Sequence, residues 1–197
     1  MSVENGFTPL VQTLTENKDV LADIADASLE AAEAIPVFGW AVKAWNVKNT
    51  FQAAKLYRNT KQFIESTSIT DAQKFIDRFS SEEEKSELCD SLIQVLIDSE
   101  KPIKAHLASR LLNSIYDGKI TVSTANELLL IILNSSVPAL TALELFYYTN
   151  PQGLPSNLSP DVQTHGPLLV SMGIARIHGS RVSITDLGKA LYKYAFM

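Results

Sequence analysis

The sequence predicts a mainly α protein, with a multi-helix body followed by a C-terminal module that contains one β-hairpin. Three observations predict it. Apolar residues recur at helical spacing along almost all of the chain before residue 150, and a helix-start signal precedes most of these stretches. Near the end, two alternating segments, Ile174-Ala175-Arg176-Ile177-His178 and Arg181-Val182-Ser183-Ile184-Thr185, flank Gly179-Ser180, a two-residue connection of the kind that closes a hairpin.

Taken in order, Val20, Ile24, Ala27 and Ala31 mark a first, acidic helix from about Asp19 to Ala34, which Ile35-Pro36 interrupts or restarts. A long helix then runs from about Pro36 to Glu65. Thr70 with Gln73, Ser81 with Glu84, and Thr124 with Glu127 each have the spacing of a capping box. They predict helices over about 71 to 79, 82 to 99 and 124 to 134. Pro102 begins a helix ending near Tyr116, where Asp117-Gly118 supplies the turn, and Pro138 begins one that runs to about Tyr148. Tyr147 and Tyr148 are expected as half-buried packing residues. The run Leu128 to Leu133 is too short to cross a membrane, where about 20 apolar residues are needed, and is expected to be buried all round. Asn150 to Pro160, with three prolines and a glycine, reads as a linker, dividing a body at 1–149 from a module at 161–197.

In that module Val162, His165, Leu168, Leu169 and Met172 have helical spacing, and Gly173 stands where a left-handed residue is wanted at the helix end. After the hairpin, Thr185 caps a last helix with Leu187, Leu191 and Tyr194 along one stripe and Ala190 beside them. The stretch from Leu169 to Arg176, followed by Val182 to Leu191, resembles the end of many bacterial winged-helix domains: a leucine, a small residue and a glycine, then a wing, then a threonine-capped helix with a glycine in its first turn. The likeness covers the last thirty-seven residues. It implies a fold more than a function, because winged helices serve protein contacts and dimerisation as well as DNA binding.

For DNA, the residues that this resemblance singles out are Gln163 and Thr164 on the helix, Arg176 and Arg181 on the wing, and Lys189 on the last helix. The helix from Asp161 to Met172 has no Lys or Arg, so it lacks the phosphate contacts that supply much of the affinity. From Asp161 onward the four basic and two acidic residues give +2, against −7 for the remainder. The plainer reading is a wing used for packing or for a protein partner.

Composition narrows the class further. At 197 residues, 46% hydrophobic and 20% charged, the chain can build one large or two small cores, and a net charge of −5 does not mark a general polyanion binder. The single Cys89, beside Leu88, Leu92 and Ile93, is expected as a small buried side chain. The first residues lack the basic start and apolar run of a secretory signal, so the cytoplasm is the expected compartment.

One segment departs from the acidic background. Ala34 to Ile64 carries Lys43, Lys48, Lys55, Arg58 and Lys61 with no acidic residue, and both tryptophans. On a helix, Trp40, Val47 and Phe51 share a narrow stripe, while Phe38, Val42, Trp45, Leu56 and Phe63 form a second one about 150° away. Two apolar stripes call for two partners. The plainest account is a central core helix whose cationic stems reach water and pair with the acidic helix before it. The alternatives are a second copy of this chain, another protein, or an anionic membrane surface at the inner face of the membrane, met by Trp40, Phe51, Lys48, Lys55 and Arg58. An Ile-Pro-Val-Phe-Gly start, a basic helix, several capped helices and a terminal wing together are similar to small bacterial or phage-borne helical proteins, a likeness that implies no activity.

Catalytic signatures are missing from the sequence. His106, His165 and His178 lie in separate segments without Cys or carboxylate at ligand spacing, and there is neither a phosphate-cradling glycine loop nor a Gly-x-Ser-x-Gly elbow. His106, beside Lys104 and Arg110, is expected at the surface or at a cap. Glu82-Glu83-Glu84 lies in a first helical turn, where the helix dipole accounts for it. No metal, cofactor or small-molecule ligand is implied. The sequence therefore predicts a non-enzymatic regulatory or adaptor protein acting by protein contact, self-associating through the Trp40 and Phe51 stripe, with DNA or membrane binding as the alternatives.

Overall fold

A computed structural model describes residues 50–152, 156–157, 160–179 and 181–197. It is mainly helical, with a small antiparallel hairpin near the C-terminus. The helices are α1 (Thr50–Glu65), α2 (Ala72–Ile76), α3 (Glu82–Asp98), α4 (Ile103–Tyr116), α5 (Val122–Asn134), α6 (Val137–Thr149), α7 (Pro160–Ser171) and α8 (Asp186–Leu191). The last runs into a π-helical turn at Tyr192–Phe196. The strands are β1 (Ser156–Asn157), β2 (Ala175–His178) and β3 (Arg181–Ile184), paired antiparallel in the order β1-β3-β2. Among the described residues no single helix is long and apolar enough to cross a membrane.

The chain divides into two compact units, Met1–Leu129 and Leu130–Met197, with the boundary inside α5. The sequence placed the division at a linker after residue 149. The structure instead packs α6 against α7, so the helix before the linker shares a unit with the hairpin.

In the first unit α1 packs on α3 and α4, and α2 on α4. The end of α1 at Glu65 agrees with the expected long helix, and Leu56 and Phe63 of its second stripe are buried. The acidic helix expected at 19–34, the start of the long helix, and the side chains of Trp40, Val47, Lys48 and Phe51 lie outside the described residues. Between Phe63 and Leu56 the buried face of α1 carries Asn59 and Thr60. The Asn59 amide donates to the carbonyl oxygens of Leu96 at 2.9 Å and Ser99 at 2.7 Å, closing open carbonyls at the end of α3.

The caps show which local signals decide a helix start. Ser81 accepts from the Glu84 N–H at 3.2 Å, as its spacing predicts, although the Glu84 carboxylate reaches back to the N–H of Ser80 at 2.7 Å. Two expected caps move. Asp71 takes the place of Thr70 and accepts from the Lys74 N–H, while Thr70 meets the Tyr116 hydroxyl; the helix there is only one turn, ending at Ile76. Thr121 takes the place of Thr124 and accepts its N–H at 3.2 Å, and Val122 stands buried in the first turn. His106 is half-buried, and its Nδ1 lies 2.8 Å from the Ser66 hydroxyl, where the sequence expected a surface or cap residue.

Three further expectations are corrected. The run Leu128 to Leu133 is not buried all round: Leu130 is 43% exposed, because at about 100° per residue it points away from Leu128 and Ile132. Tyr147 is buried, whereas Tyr148 is 82% exposed. The linker contains β1, which pairs Ser156 with Val182 and makes the expected two-stranded ribbon a three-stranded sheet.

Candidate functional site

The C-terminal unit places its hairpin by a series of backbone devices. At the end of α7, Gly173 adopts φ 74°, its N–H donates to Val170 O, and the Ile174 N–H donates to Leu169 O. This paired closure fills the last carbonyls of the helix and turns the chain into β2. The Thr185 hydroxyl then donates to Gly173 O at 2.7 Å and accepts from the Gly188 N–H at 3.1 Å, while its own N–H donates to Ile174 O. One threonine thereby ties the start of the hairpin to the start of α8.

The closing helix differs from its expected stripe. Gly188, Leu191 and Ala195 are the buried positions, while Leu187 and Tyr194 are half-buried. After Leu191 the wider π-helical turn carries Ala195 onto the inner face in place of Tyr194. It also stacks the ring of Tyr192 on that of Tyr147, with centroids 4.1 Å apart and planes within 9°.

Register decides which hairpin residues face out. Ala175 lies opposite Ile184, Arg176 opposite Ser183, Ile177 opposite Val182 and His178 opposite Arg181. Successive residues of a strand alternate between faces. Ala175, Val182 and Ile184 are buried on one face, and Arg176, His178 and Arg181 are exposed on the other. The His178 Nε2 lies 3.0 Å from the Ser183 hydroxyl across that outer face. Ile177, towards the hairpin end, keeps 53% of its surface exposed although it belongs to the inner face. A depression beside the hairpin is lined in part by Val170, Arg176, Ile177, His178, Asp186 and Leu187.

The structure brings some of the sequence-predicted residues together and separates others. Arg176 and Arg181 share the outer face. Lys189 does not join them: its ammonium lies 3.1 Å from the Asp186 carboxylate, and its stem lines another cavity, with Tyr147 and Tyr192. Thr164 is exposed on α7, while the Gln163 side chain lies outside the described residues. On α1, Lys55 is half-buried, and the exposed Arg58 donates to the carbonyl of Glu100. Sequence reasoning missed His178 and Ile177 as surface features. The two-residue turn was the signal, since it sets His178 directly opposite Arg181.

The His178–Ser183 pair sits exposed on a strand face, and among the described residues no carboxylate hydrogen-bonds to the imidazole to orient it as a base. No group of three or more His, Cys, Asp or Glu among the described residues could hold a metal ion. Burial, then the neighbouring Asp90 charge, pushes the Cys89 thiol up to about 12. Comparison with protein-family models, with curated proteins and with solved structures finds no match.

Proposed function

We propose that this protein is a non-enzymatic regulatory or adaptor protein that acts by protein contact, with a winged-helix-like C-terminal unit as one contact module. The reading rests on one observation: Arg176, His178 and Arg181 occupy one exposed hairpin face. An exposed face that carries two arginines is complementary in charge to an acidic protein partner. A helix, an antiparallel hairpin, and then a threonine-capped helix with a close-packed glycine support the winged-helix part of the reading. DNA is the weaker fit, because α7 carries no cation and Lys189 is engaged by Asp186.

The partner that the charge pattern favours is a second copy of this chain. The first turn of α3 carries Glu82, Glu83 and Glu84, with Glu87 one turn on, and Glu82, Glu83 and Glu87 are exposed. The hairpin of one copy and the acidic turn of another are complementary in charge. The Trp40 and Phe51 stripe is a second surface for the same association.

Light scattering on size-exclusion fractions tests this with the wild type, Arg176→Glu/Arg181→Glu and Trp40→Ala/Phe51→Ala. The wild type is expected to be oligomeric at low salt, and the arginine double variant is expected to shift toward monomer. A monomeric wild type, or an unchanged mass in both variants, overturns self-association. Salt-dependent binding of duplex DNA that the arginine variant loses would put the DNA reading first. Flotation of the wild type with anionic liposomes, lost in the Trp40→Ala/Phe51→Ala variant, would put the membrane reading first.

A further inference from the structure

A second feature of the C-terminal unit is a cavity of about 490 Å³ that the proposed contact surface does not use. Tyr147 and Tyr148 line it from α6, Lys189 from α8, and Tyr192, Lys193 and Met197 from the terminal turn and the residue after it. On its aromatic side the rings of Tyr147 and Tyr192 stack, and Phe196 continues the stack with its centroid 5.9 Å from that of Tyr192.

Two observations mark this cavity as a site and not as a gap in packing. Tyr148 and Met197 are 82% and 74% exposed, so large apolar surfaces stand open beside the stacked pair. Two cations also belong to the lining. Lys189 is engaged by a fully exposed Asp186 carboxylate, a type of surface pair that a better-placed anion displaces at little cost. The Lys193 ammonium lies 4.9 Å from the centre of the Tyr194 ring. An aromatic wall with a few placed polar groups is the usual make-up of a small-molecule pocket.

We propose that this cavity binds a small molecule consisting of an aromatic ring and an anionic group, an aromatic carboxylate or sulfonate. The ring lies against Tyr148 and the Tyr147–Tyr192 stack, and the anion meets Lys189 and Lys193.

Fluorescence titration with 8-anilino-1-naphthalenesulfonate tests this on the full chain. The wild type is expected to show saturable binding at one site per chain, displaced by 1-naphthoate but not by the uncharged 1-naphthalenemethanol at the same concentration. Lys189→Gln/Lys193→Gln is expected to weaken binding at least about tenfold. Tyr148→Ala, at a position too exposed to be needed for folding, is expected to weaken it as well, whereas Lys119→Gln in the other unit is expected to bind as the wild type does. Unchanged affinity in the lysine double variant or in Tyr148→Ala overturns the proposal. So does equal displacement by the neutral alcohol, or a signal that never saturates.

Discussion

Gly188 packs its backbone against the carbonyl of Ile174. A Cβ at residue 188 would fall 2.5 Å from the Ile184 side chain and closer still to the Ile174 oxygen, which is itself fixed by the Thr185 N–H. Backbone cannot swing aside as a flexible side chain can. Gly188→Ala is therefore expected to cost about 2–4 kcal/mol through overpacking at the hairpin base. Gly173 is the informative contrast, since it has φ 74° but nothing within 4 Å of a built Cβ. Gly173→Ala is expected to cost only about 1–2 kcal/mol of backbone strain. Denaturant unfolding followed by tyrosine fluorescence checks the order, and a larger loss at Gly173 would show that the close packing is not what decides.

Asn59 links α1 to the end of α3 with two hydrogen bonds made by one fully buried amide. Removing it leaves the carbonyls of Leu96 and Ser99 without these donors in the interior. Asn59→Ala is expected to destabilise the first unit by about 2–4 kcal/mol. Asn59→Asp, close in shape but unable to donate when ionised, is expected to be at least as damaging near neutral pH. Urea midpoints of the two variants measure this, and an Asp variant as stable as the wild type would remove the hydrogen bonds from the account.

Thr121 and Thr124 test how a helix start is chosen. Both stand near the start of α5, but it is the Thr121 hydroxyl that accepts the N–H of Thr124. Thr121→Ala is expected to cost about 1 kcal/mol and Thr124→Ala distinctly less. Thermal unfolding of the two variants gives the comparison, and equal shifts would return the cap to Thr124.

This pair shows what was legible in the sequence. A capping box is a local pattern, and at Ser81 it marks the helix start, although the Glu84 carboxylate closes on the N–H of Ser80. It misplaces α5 because the burial of Val122 draws the first turn forward, and burial is a tertiary fact. The outward placing of Arg176 and Arg181 was legible because a two-residue turn and a period of two fix the register. The stack of Tyr147 on Tyr192 was not, because it joins residues 45 positions apart through a π-helical turn that no spacing rule signals. The cavity that this stack helps to line escaped the sequence for the same reason.

Cys89 lies fully buried on α3, with its thiol pushed up to about 12 by burial and then by Asp90. The thiolate is the reactive form, so the native protein keeps almost none of it at ordinary pH. Native chain at pH 8 is expected to react with Ellman's reagent far more slowly than chain in 8 M urea, which should release one equivalent at once. Rapid labelling of the native protein would mean that α3 opens locally and often.

His106 gives the first unit a dependence on pH whose sign follows from its surroundings. Burial first, then the nearby Arg110 charge, lowers its pKa below the ordinary value of 6.5. The unfolded chain therefore takes up the proton at a higher pH than the folded chain does. Well above 6.5 both states are neutral at this residue and it contributes no slope. As pH falls through 6.5 towards the lower folded value, protonation favours the unfolded chain and stability is lost. Unfolding midpoints at pH 7.5 and 5.5 are expected to separate more in the wild type than in His106→Gln, whose amide can still meet the Ser66 hydroxyl. Because other groups titrate over the same range, the difference between the two proteins carries the result. Equal pH dependence in both would mean that His106 titrates in the folded chain as it does in the unfolded one.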